Sequence, residues 1–213
     1  MPKTPRKTTP PLAPRKKPLQ ARSAATVQAI LQAAAHILET DGLAACSTNA
    51  VALKAGVSIG SLYQYFPSRD AITKALILEQ TAALLVEVEA IDTSQGGRAA
   101  LLQLVGVATA QQFNRPALAR ILDVEEQRLP IEPDLEIYVA RLHTAISGFL
   151  AQPDMPLDAQ QPEVAGDVMA IIRGMVDTAS GRGERKTKLL EQRVRRAVFG
   201  YIIDSGTAIF HEG

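Results

Sequence analysis

An all-α fold of about nine helices, a small three-helix module followed by a larger helical domain, is the architecture this sequence predicts. Three observations predict it. Apolar residues recur at spacings of three and four through most of the 213 residues. No segment alternates apolar and polar residues as a half-buried strand would, and Pro, Gly and Ser stand where helices start and stop. A hydrophobic content of 46% can bury a real core, and the length allows no more than about two domains.

Residues 1–21 are dominated by Pro, Lys, Arg and Thr, with too little apolar surface to offset the entropy of ordering them, so a flexible basic arm is expected. From Ser23 the pattern turns helical, with Val27, Ile30, Leu31, Ala34, Ile37 and Leu38 on one side and Gly42 at the C-terminal cap. Ser47 to Ala55 and Ser58 to Tyr65 form a second and a third helix, each opened by a serine. These three make a domain over 22–67. Pro67 and Ser68 then start a long helix from about Arg69 to Ile91, the first element of a second domain over 68–213. The run Ser94-Gln95-Gly96-Gly97 reads as a plain turn before a helix from about Arg98 to Asn114, apolar nearly all round and therefore central. Pro116 opens a helix that ends before Pro130, and Pro133 and Asp134 begin one reaching about Leu150. Residues 151–162, with three prolines, are a loop, and two last helices span about Glu163 to Ser180 and Lys186 to Phe210.

The stretch from Thr48 to Phe66 carries the spacing of a helix-turn-helix. Two helices that cross closely need a small residue at the contact, a residue tolerant of left-handed backbone at the turn, and an apolar anchor on the second helix. Ala52, Gly56 and Leu62 supply these in order, and Val57 plugs the turn. Such a pair points to DNA. Charge agrees: residues 1–70 hold nine Lys or Arg against three acids, whereas the remainder holds 14 against 19, so a basic front precedes an acidic rear.

The same residues resemble the tetracycline-repressor (TetR-like) family of bacterial transcription regulators. The likeness rests on Gly42-Leu43, Val51-Ala52, Ala55-Gly56-Val57-Ser58, Gly60-Ser61-Leu62-Tyr63-Gln64-Tyr65-Phe66 and Ser68-Arg69-Asp70, and covers about residues 23–72. It implies a homodimer whose two recognition helices enter successive major grooves of a near-palindromic double-stranded DNA operator. It also implies a C-terminal domain that binds a small-molecule effector and changes their separation. Residue by residue, Thr48 would meet a phosphate with Asn49 beside it, and Ser58, Ile59, Gly60 and Ser61 would open the recognition helix against the groove. Tyr63, Gln64 and Tyr65 would follow on bases or backbone, and Arg69 would take the place of a phosphate-binding lysine. Two features depart from the family's pattern: Asn49-Ala50 replaces a pair often charged, and Ile59 is apolar where polar residues are common.

In the family the last two helices build a four-helix dimer interface, which here would use Val168, Ile172, Met175, Leu190, Val194, Ala197, Val198 and Tyr201. A core stripe within one chain is the plainer reading of the same periodicity. Candidate effector contacts are Phe113, Tyr138, His143 and Met169, with Glu125 and Glu126 able to face a cationic ligand or simply to form a solvated helix face. No cofactor or metal is expected: His36, His143 and His211 stand alone, and neither a phosphate-binding glycine loop nor a nucleophile elbow occurs. Cys46, the single cysteine, can form no intramolecular disulfide, and neither a membrane span nor a signal peptide is present, so a cytoplasmic protein is expected. The leading function is therefore a ligand-responsive repressor rather than an enzyme. The alternative is a small-molecule-binding or protein-interaction protein whose helix-turn-helix is non-functional.

Overall fold

A computed structural model describes residues 21–204 and, among them, is all α. The basic arm expected over 1–21 lies outside the described residues except for Ala21, which already begins α1 (Ala21–Asp41). Then come α2 (Thr48–Ala55), α3 (Ile59–Tyr65), α4 (Arg69–Glu89), α5 (Gly97–Asn114), α6 (Pro116–Arg128), α7 (Glu132–Leu150), a 3-10 turn at Leu157–Gln160, α8 (Val164–Gly181) and α9 (Thr187–Asp204). No described helix is long and apolar enough to cross a membrane.

The chain divides into two compact units. The first runs to Ile77 and takes in Val124–Pro130; the second comprises Leu78–Asp123 and the residues from Ile131 onward. The first unit thus extends past residue 67 into α4 and also takes the end of α6. In it α2 packs on both α1 and α3. Ile30, Ala34, Leu38, Val51, Leu62, Phe66 and Ile72 are buried there, as their helical spacing requires. Cys46 is buried as well, and that burial pushes its thiol above the ordinary range.

In the second unit α5 is the central helix, packing on α7, α8 and α9, with Leu101, Leu104 and Val105 fully inside. The Gly96-Gly97 pair does more than turn the chain. Gly97 is buried, and a β-carbon there would overlap the carbonyl oxygen of Phe149 and approach Met155 Cγ to 2.7 Å, so only glycine lets α5 start against the end of α7. The carboxylate of Asp154 closes that end. It accepts the amides of Gly97 at 2.7 Å and Arg98 at 3.0 Å, and these two hydrogen bonds hold its pKa below the usual range. Arg98 in turn lies 4.9 Å from the centre of the Phe199 ring.

Candidate nucleic-acid interface

The turn between α2 and α3 is built by local chemistry. Ser47 Oγ accepts the amide of Ala50 and caps α2, while Gly56 leaves α2 at φ +67°, in the left-handed region, and donates its amide to the last carbonyls. Ser58 Oγ accepts the amide of Ser61 at 3.0 Å and starts α3. Ala52 at 3% exposure and Leu62 at 0% occupy the contact, so the three positions that predict the motif do the work expected of them. Phe66 closes α3 and is buried; Ser68 Oγ then accepts the amide of Ala71 and opens α4.

What α3 shows outward is a short, specific set. Ser58, Ile59, Gly60, Tyr63 and Gln64 are exposed, Ser61 and Tyr65 are half-buried, and on α2 Thr48 is half-buried with Asn49 exposed beside it. Thr48 Oγ1 and Tyr63 Oη are 3.1 Å apart in a hydrogen bond that ties the start of α2 to the middle of α3. Arg69 is partly exposed, its side chain 37% open to solvent, and touches Asp70 at 3.4 Å in a part-buried ion pair. All ten candidate DNA contacts therefore lie in the first unit, on α2, α3, the cap between them and the start of α4. Leu53, 85% exposed on α2, is a feature that apolar periodicity did not single out.

Glu125 takes a role different from both sequence readings of it. It is neither on a solvated face nor in a ligand pocket: at 2% exposure it is buried in the first unit, where Arg128 donates from Nε to both its oxygens at 3.1 Å and from Nη2 at 2.6 Å. The same guanidinium reaches Asp70 at 2.8 and 3.2 Å, so one cation joins two carboxylates, one on α6 and one on the first turn of α4. Hydrogen bonding from Arg128 holds the Asp70 carboxyl below the ordinary carboxylate range against a smaller opposing effect of burial. Glu126, half-buried, is on the same short segment of the first unit.

The other candidate effector residues lie in the second unit. Phe113, Tyr138 and Met169 are partly buried against its core. His143 sits apart, on an open groove of about 910 Å³ along α7 that is lined by Glu132, Pro133, Leu135, Glu136, Val139 and Thr144 among others. Its Nε2 is 3.3 Å from the Pro162 carbonyl oxygen and its Nδ1 3.5 Å from Ser147 Oγ.

The candidate dimer residues split in two. Val168, Ile172, Leu190, Val194 and Val198 are at most 5% exposed inside a single chain, so they belong to its own core and cannot also form the face that meets a partner. Helical spacing marks an apolar stripe but not what covers it. Met175, Ala197 and Tyr201 remain half-buried. Tyr201 Oη bonds the Asp167 carboxylate, which clamps α9 to α8 and pushes the phenol pKa up to about 12.

Comparison with known proteins agrees with this geometry. Residues 30–76 match the family model described as bacterial regulatory proteins, tetR family. No curated protein matches the chain in sequence. Among solved structures, a TetR-family transcriptional regulator from Streptomyces coelicolor is 25% identical, with a TM-score of 0.64 over 86% of this chain and 100% of its own. The fatty acid degradation regulator FadR from Bacillus halodurans is 16% identical, with a TM-score of 0.67 over 86% and 96%. A tetR-family regulatory protein from Rhodococcus RHA1 is 15% identical, with a TM-score of 0.66 over 83% and 96%.

Proposed function

We propose that this chain, whose residues 30–76 match the family model of tetR-family bacterial regulatory proteins, is a repressor that binds a near-palindromic operator as a homodimer and is released by a small-molecule effector. The observation that carries the DNA half is the outward face of α3. A capped seven-residue helix, about 10 Å long at 1.5 Å per residue, stands on a glycine turn with Ile59, Gly60, Tyr63 and Gln64 exposed and Leu62 buried. A major groove about 12 Å wide admits such a helix. Thr48 and Arg69 flank it as phosphate contacts, with Asn49 beside the first. Ser58, Ile59, Gly60, Ser61, Tyr63, Gln64 and Tyr65 meet the groove or its walls. Gln64 is exposed and suited to bidentate pairing with adenine.

One short helix rarely binds DNA tightly alone, and a two-fold protein on a two-fold site doubles the contact. The faces that α8 and α9 leave uncovered support the dimer. Ala170, Gly174 and Thr178 recur every fourth residue on the outside of α8, and Leu189, Arg196, Gly200 and Ile203 stay exposed on α9. Small residues at that spacing let helices approach closely. An effector held among the half-buried Phe113, Tyr138 and Met169 acts by favouring one conformation, and linkage then requires that DNA and effector weaken each other equally. Gel shift of the full chain on the DNA upstream of its own gene at low salt, with mass by light scattering, tests the reading. A retarded complex from a dimer is expected. A monomer, or a dimer that shifts this DNA no better than unrelated duplex, overturns it.

A further inference from the structure

We infer that the recognition surface reads thymine through its 5-methyl group, with Ile59 as the reading side chain and Gly60 as the gap that lets the DNA come close. The inference rests on the operator-binding reading above and assigns the chemistry of that same surface. Its basis is which groups of α3 are already engaged. The hydroxyls of Ser58 and Ser61 bond each other at 2.8 Å, and Ser58 Oγ also holds the Ser61 amide, so both serines are committed to shaping the helix. Tyr63 Oη is bonded to Thr48. Of the rest of the exposed set, Gln64 is the polar reader already assigned, and Ile59 and Gly60 are the two positions without a polar side chain. Ile59 leaves 38% of its surface in water, and Gly60 carries no side chain.

Packing within the chain does not require that glycine. A β-carbon on Gly60 would meet Ser58 Oγ at 3.9 Å, an ordinary contact, and its φ is not in the left-handed region. Glycine inside a helix is nonetheless destabilising relative to alanine. A bare position with no internal cause, next to an exposed apolar side chain, fits a partner that approaches the backbone at Gly60 and offers an apolar group to Ile59. In the major groove the thymine methyl is that group: every base edge presents hydrogen-bonding atoms there, but only thymine adds a methyl.

The test uses the full chain and a duplex selected from a random pool for tight binding. Each thymine is then replaced singly by uracil, which removes only the methyl group, and affinity is read by fluorescence anisotropy. The wild-type chain is expected to lose about fourfold at one thymine in each half-site, the factor that burying one such group is worth, while Ile59→Ala binds the thymine and uracil duplexes equally. Gly60→Ala should melt at or above the wild-type temperature and yet bind DNA at least tenfold more weakly, a combination that a purely structural glycine would not produce. A wild-type chain that binds the selected duplex tightly but ignores every uracil substitution overturns the inference and leaves operator binding standing. Gly60→Ala binding as tightly as wild type overturns the close approach. Failure to select any duplex removes operator binding itself, and the inference with it.

Discussion

Replacing Arg128 by methionine withdraws the cation that Glu125 and Asp70 share, and the structure sets the size of the effect. Glu125 is 2% exposed and accepts three hydrogen bonds from Arg128. Stripping the partner from a fully buried pair costs about 3–5 kcal/mol, because an uncompensated charge stays inside. Here the Arg128 side chain is 44% exposed, so water can enter the space it vacates, and about 2–3 kcal/mol is the expected loss. Asp70 adds little, since its side chain is 30% exposed and it sits in the first turn of α4, where the helix dipole favours a negative charge. The double variant Glu125→Leu/Arg128→Met removes the stranded charge and should recover at least about half of the loss. Urea unfolding followed by circular dichroism at pH 7 reads both. The pH dependence adds a second signature. The folded pKa of Asp70 lies below its ordinary value of 3.8, so its contribution is present above that pH and is lost as the pH falls through the folded pKa. Arg128→Met should flatten this acid-side decline. A single variant within about 0.5 kcal/mol of wild type, or a double variant no better than the single, would refute the reasoning.

Two glycines of α5 should respond with opposite sign. Gly97→Ala forces a β-carbon onto the Phe149 carbonyl and should cost about 1–3 kcal/mol, whereas Gly106→Ala meets nothing within 4 Å and should gain about 0.5–1 kcal/mol; thermal melts separate them, and equal shifts would contradict the packing. Gly56→Ala has open space around it but holds φ +67°, so its cost of about 1 kcal/mol is conformational, and Gly56→Asn should cost less. Asp154→Asn should lower the melting temperature of the second unit, and the wild type should lose that difference as the pH falls through the depressed Asp154 pKa. Arg69→Ala should leave stability nearly unchanged but weaken DNA binding and reduce the salt slope by about 1, read from anisotropy at several salt concentrations.

These residues also show what a sequence can carry. Ser47, Gly56, Ser58 and Leu62 were readable because capping, left-handed backbone and a helix anchor depend on neighbours within a few positions. The order of the helices was readable for the same reason, from Pro, Gly and Ser at their ends. Glu125 was not, because an acidic residue three before an arginine looks alike whether the pair is solvated or buried, and the Asp70 that shares Arg128 lies on another helix far along the chain. Gly97 read as a turn because the Phe149 carbonyl that requires it belongs to α7. Val168 and Val194 read as a face for a partner because the 3.6-residue period marks an apolar side without naming its cover; only their burial within one chain assigned them. The committed hydroxyls of Ser58 and Ser61, which shift attention to Ile59, are a matter of angstroms.

The claim on which the rest depends is that α3 binds DNA as one half of a symmetric reader. Hydroxyl-radical footprinting of the full chain on the DNA upstream of its own gene tests this most directly. The expected result is two protected half-sites of inverted sequence, their centres about 10–10.5 base pairs or a multiple apart. Tyr63→Ala and Gln64→Ala should both abolish the protection while the folded chain persists. Protection that survives both substitutions, or that follows no sequence and no two-fold spacing, would contradict it.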